Sequence, residues 1–149
     1  MIWEGWVMAE TIVVGIDGSD DGQQALAWAV EEARRRGAVL EVVHAWEVTA
    51  SDAMAPDPAG GARRAMAHSL SDVDTEGLEV HPLLVEGRPV PSLIRAAADA
   101  DLLVVGSRGR SGVAAVVLGS VSSACVHYAT CPVVVVPPAR RSSMVAAGN

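Results

Sequence analysis

Four runs of branched aliphatic residues set what this chain can fold into: Thr11–Ile16 (TIVVGI), Val39–Ala45 (VLEVVHA), Asp101–Val105 (DLLVV) and Pro132–Val136 (PVVVV). None keeps a strict apolar–polar alternation, so each reads as a strand buried on both faces, as in a parallel sheet covered by helices. A weaker run, Leu78–Val85, is broken by Pro82, which cannot donate to a ladder and so belongs near a sheet edge. Between the first two runs, Ser19 can cap a helix with Asp20 and Asp21 in its first turn. Ala25, Leu26, Ala29, Val30 and Ala33 then recur at helical spacing, and Gly37 closes the helix after three arginines. Further helices are expected over Ala62–Val73, Val90–Ala98 and Gly119–Tyr128, and a loop over Glu47–Gly61. The alternation predicts a single-domain α/β fold, an open parallel five-stranded sheet with helices on both faces. The domain is expected over residues 11–138, with an N-terminal extension over 1–10 and a flexible tail over 139–149.

Composition removes several kinds of chemistry. All eleven cationic residues are Arg. A chain without Lys has neither a Walker A loop nor a Schiff-base lysine. The net charge of −7 argues against nucleic-acid binding, which needs a basic face to displace counterions. No apolar stretch reaches membrane-spanning length, and Met1–Glu10 lacks the cationic and apolar regions of a secretory signal. A cytoplasmic location is therefore expected, with Cys125 and Cys131 as reduced core thiols. His68, His81 and His127 show no metal spacing, and no nucleophile–base arrangement is evident. His44, at the end of the second strand, reads as a core imidazole or a pocket residue.

The most informative segment is Gly106–Ser122, GSRGRSGVAAVVLGSVS. It begins at the carboxyl end of the fourth strand, where open α/β sheets bind ligands. Glycines at 106, 109 and 112 leave room for backbone to approach a ligand. Gly119-Ser120-Val121-Ser122 then starts a helix, whose free amides and dipole suit a phosphate chain. Arg108 and Arg110 can reach the same phosphates or face solvent. Gly15-Ile-Asp-Gly18 lacks the dinucleotide fingerprint, and one Tyr without Phe disfavours a flavin site.

The chain resembles the universal stress proteins. The resemblance is carried by VVGIDGS (Val13–Ser19), VVHAW (Val42–Trp46), VVGSRGRSG (Val104–Gly112) and GSVSSACVHYATCPVVVV (Gly119–Val136). The family's ATP signature (Gly, two residues, Gly, nine residues, Gly, then Ser or Thr) falls on Gly106, Gly109, Gly119 and Ser120. The resemblance implies strand order 3-2-1-4-5 and binding of ATP with Mg²⁺ or Mn²⁺. By position, Gly106 would lie near the ribose, and Gly109, Gly119, Ser120 and Ser122 would hold the phosphates, with Val121 among them. Asp17, at the end of the first strand, would accept hydrogen bonds from ribose hydroxyls. Ala45 would meet the adenine edge through its backbone, Val105 would line the base pocket, and Trp46 could cover the base. Gly15-Ile16 stands where relatives often carry a proline or alanine and another small residue. The implied role is a stress sensor or regulator, paired as a homodimer through Val133–Val136; the alternative is a slow ATPase or nucleotidyl transferase of related architecture.

Overall fold

The computed structural model describes residues 2–3, 6–108 and 118–139. Five parallel strands form the central sheet: β1 (Thr11–Ile16), β2 (Val39–Trp46), β3 (Val80–Glu86), β4 (Leu102–Gly106) and β5 (Val133–Val136). Four helices alternate with them: α1 (Asp20–Arg36), α2 (Gly60–Ser71), α3 (Pro89–Ala96) and α4 (Ser120–Tyr128). The spatial order is β3-β2-β1-β4-β5, as the family resemblance implies. A short antiparallel ribbon, Ile2–Trp3 with Trp6–Val7, forms a separate sheet inside the stretch expected to be a plain extension.

The aliphatic runs are explained by burial on both faces. Ile12, Val14, Ile16, Leu40, Val42, Leu102 and Val104 turn toward α1 and α2. Val13, Val43, Leu103 and Val105 turn the other way, toward Leu93 and Ala97 on the α3 side and Cys125 of α4. In α1 the apolar spacing places Ala25, Leu26, Ala29, Val30 and Ala33 on the sheet, with Trp28 packed at the margin. The Gly22 amide donates to Ser19 Oγ at 3.1 Å, capping the helix start. At its end Gly37 adopts a left-handed φ of 63°, a conformation costly for any residue with a Cβ. The arginines there do more than face the helix dipole. Both terminal nitrogens of Arg34 donate, at 2.8 Å, to the carbonyls of Glu76 and Asp74 in the turn before β3.

The two sheet edges differ. Along β3 the residues bonded to β2 are the odd-numbered ones, since the Leu40 amide donates to the Glu79 carbonyl and the Gly87 amide to that of Trp46. Pro82 therefore points its missing donor outward, which is how an edge strand tolerates proline. Along β5, the Leu103 amide donates to the Pro132 carbonyl and the Ser107 amide to that of Val136. Even-numbered residues thus face β4, and the amides and carbonyls of Val133 and Val135 face outward.

Cys125 is fully buried and Cys131 half-buried, both as free thiols. Burial, with a smaller contribution from Cys131, pushes the Cys125 thiol up from 9.0 to about 11. Burial also pushes Cys131 up. A raised folded-state pKa means the stability it contributes is complete below the unfolded value and is lost as pH rises through the folded one. Unfolding free energy should fall by about 2–3 kcal/mol between roughly pH 9 and 11. The chain has no lysine to blur that window. Urea titrations across it should show the fall, and Cys125→Ala should remove most of it.

Candidate functional site

β1, β2 and β4 all end on one side of the sheet, and the order reverses between β1 and β4, the switch point where open sheets leave a crevice. A cleft of about 780 Å³ opens there, within the usual range for small-molecule sites. Asp17, His44, Ala45, Trp46, Ser120 and Val121 line it, with Glu47, Thr49 and Asp52 from the following loop. An apolar slot of about 80 Å³ adjoins it, bounded by Gly15, Ile16, Val105, Gly106, Pro89 and Leu93. Asp17, Pro89, Arg108 and Val121 belong to both walls.

The slot depends on glycines where elements approach closely. A Cβ on Gly15 would lie 2.8 Å from Leu93 Cδ2, so the bare position leaves room for the Leu93 side chain of α3 against the sheet. On Gly106 it would lie 2.7 Å from the Asp21 carbonyl oxygen, in the first turn of α1. On Gly22 it would lie 2.8 Å from Asp17 Oδ1. Asp17 Oδ1 accepts hydrogen bonds from the amide and hydroxyl of Ser19, and Gly18 turns the chain with φ +81°. Oδ2 of Asp17 has no protein partner among the described residues. The turn thus engages Oδ1 of Asp17 and leaves Oδ2 uncommitted among the described residues.

At the other wall, α4 starts on a bracket built from Ser107. The Ser107 carbonyl accepts from the Gly119 amide and, at 2.9 Å, from the Ser122 hydroxyl. The Ser122 hydroxyl also reaches the Gly119 carbonyl at 3.2 Å. Ser122 is 2% exposed, so its hydroxyl braces the helix and only its amide is left for a ligand. The first intrahelical bond runs from the Ser123 amide to the Gly119 carbonyl. The amides of Ser120, Val121 and Ser122 accordingly have no protein acceptor among the described residues, the usual state of a helix start. Gly119 has ordinary dihedrals (φ −77°, ψ 177°); its constraint is space, because a Cβ would lie 3.2 Å from Arg108 Cα.

Six of the residues singled out from sequence, Asp17, Ala45, Val105, Gly106, Ser120 and Val121, line this site. Gly119 and Ser122 stand behind it as supports. Gly109, with Arg110 and Gly112, lies outside the described residues. His44 is 8% exposed yet lines the cleft. Sequence reasoning missed Pro89 and Leu93, although a helix opened by Pro directly after a strand was a usable signal. It also missed the pairing of Arg108 with Asp21 at 3.1 Å. Asp52 is held below the usual carboxylate range, chiefly by the Thr49 hydroxyl and then by its amide.

The model of the universal stress protein family matches residues 8–137. The chain belongs to this family. A universal stress protein of Thermus aquaticus is 39% identical over 140 residues, covering 87% of this chain and 99% of that protein. A universal stress protein of Mycobacterium tuberculosis is 39% identical over 132 residues. The chain spans 44% of that relative's length. Among solved structures, a universal stress protein in complex with cAMP superposes with a TM-score of 0.70 at 27% identity, covering 87% of this chain and 98% of that one. In this universal stress protein no helix among the described residues is long and apolar enough to cross a membrane.

Because Gly106 abuts backbone rather than a movable side chain, Gly106→Ala should force α1 and β4 apart. A loss of about 1–3 kcal/mol is expected, the usual effect of overpacking. Urea unfolding of the variant beside the parent measures it, and unchanged stability would contradict the packing role.

Proposed function

We propose that this protein binds an adenine nucleotide, ATP with Mg²⁺ or Mn²⁺, and acts as a regulator through nucleotide-dependent shape or partner binding. The observation that carries the reading is the convergence, at one sheet end, of an apolar slot, a half-committed carboxylate and a helix start with open amides. The apolar walls of Ile16, Val105 and Leu93 suit one edge of a purine, the rest of which would lie in the adjoining cleft. Oδ2 of Asp17 suits a ribose hydroxyl, which donates to a carboxylate. The amides of Ser120–Ser122 suit phosphate oxygens. The relative solved with cAMP supports the choice of adenine, and the Gly106, Gly109, Gly119, Ser120 spacing supports a longer phosphate chain. The divalent ion would arrive on the phosphates, the usual way Mg²⁺ accompanies a nucleotide.

Asp17→Asn keeps an oxygen for the Ser19 turn while removing the charge. It should weaken ATP binding by about 1.5–3 kcal/mol, the contribution of a charge-assisted hydrogen bond. Isothermal titration of ATP–Mg²⁺ into both proteins checks this; equal affinities would remove Asp17 from the site.

The reading includes a homodimer through β5. Its outward-facing Val133 and Val135 backbone groups have no ladder partner among the described residues, and a second copy could supply one about a two-fold axis. Val135→Pro removes an outward donor without touching the β4 ladder. Light scattering should report about twice the chain mass for the parent and a shift toward one chain for the variant. A parent that is monomeric at high micromolar concentration would exclude the dimer.

A further inference from the structure

Arg108 leaves the sheet two residues beyond Gly106 and stands in the wall of both the slot and the outer cleft. Its backbone packs against the start of α4, and it shares the cleft wall with Ser120 and Val121. Arg108 Nε donates to Asp21 Oδ2 at 3.1 Å, and the two side chains are only 25% and 11% exposed. Asp21 is fixed in the first turn of α1, whose carbonyl at that same residue abuts Gly106. The contact is one-pronged. It occupies Nε, while the terminal nitrogens of Arg108 have no protein partner among the described residues.

A guanidinium carries five N–H donors in one rigid plane. Holding that plane by Nε removes much of the rotational freedom that a free arginine would lose on meeting an anion. Asp21 offsets part of the charge, so its contribution is orientation more than attraction. Arg108 shares the cleft wall with Ser120 and Val121 at the start of α4, and two donors in a plane match two phosphate oxygens.

We infer that Asp21 and Arg108 form one phosphate-positioning unit, in which Asp21 orients Arg108 and the terminal nitrogens of Arg108 bind the phosphate chain of the nucleotide. The inference rests on the nucleotide reading above and adds to it the two residues that set the preference for the phosphate-bearing ligand over the uncharged nucleoside.

The test compares affinities for ATP–Mg²⁺ and adenosine, by calorimetry, in the parent, Arg108→Gln, Asp21→Asn and the double variant. Arg108→Gln should narrow the preference for ATP over adenosine by about tenfold or more, the effect of losing a charged fork. Asp21→Asn should narrow it by a smaller factor, and the double variant should be no worse than Arg108→Gln alone, because Asp21 acts through Arg108. Should Asp21→Asn fail to fold, Asp21→Ser retains a polar residue in the first turn and takes its place. An unchanged preference in Arg108→Gln, or losses that multiply in the double variant, would overturn the unit. A parent that binds neither ligand would remove the nucleotide reading itself, whereas a parent with a strong ATP preference that both variants keep would remove only this inference.

Discussion

The contact on which the site depends is the meeting of β4 and α1 at Gly106, where strand and helix backbones touch with no side chain between them. An interior without Phe is filled by Ala, Val, Ile and Leu, and α1 presents Ala25, Ala29 and Ala33 to the sheet. Small side chains let a helix settle close, and close approach must be met by missing Cβ atoms where the helix begins. Gly106 beneath Asp21 and Gly22 against Asp17 satisfy that demand. The same proximity brings Asp21 within reach of Arg108 and sets the Asp17 carboxylate at the mouth of the crevice. Packing and site geometry are thus one constraint seen from two sides.

The opposite wall has a different logic. There the Ser107 carbonyl takes two donors, one from the backbone of Gly119 and one from the side chain of Ser122. This ties the end of β4 to the start of α4 although a long stretch of chain separates them. A helix start held in this way fixes Ser120 and Val121 in the cleft wall. Pre-organisation of this kind lowers the ordering cost of binding.

The strands and α1 were readable because burial on both faces leaves a continuous aliphatic signature and because capping residues announce helix ends. Boundaries drifted where those signals weaken. α2 begins at Gly60, earlier than its Ala-rich body indicates, after a turn in which the Gly60 amide donates to the Asp57 carbonyl. β4 extends to Gly106 because Val136 lies opposite it. Of the spaced glycines and serines, Gly106 and Ser120 do line the candidate site. The division of labour within it was not legible, since whether Ser122 faces a ligand or the Ser107 carbonyl depends on the path of the chain. The pairing of Arg108 with Asp21 spans 87 positions, and no local pattern marks it. Nor does a run of four valines tell which two turn outward; that follows from the ladder to β4.

Pro82 gives the two edges of the sheet different fates. On β3 a proline ring occupies the outward register where a neighbouring strand would need a donor, whereas Val133 and Val135 on β5 present theirs intact. An edge that lacks a donor is a poorer template for a further strand than an intact one. Two copies joined at their β5 edges about a two-fold axis would each turn the Pro82-bearing edge outward, where the missing donor weakens further strand addition.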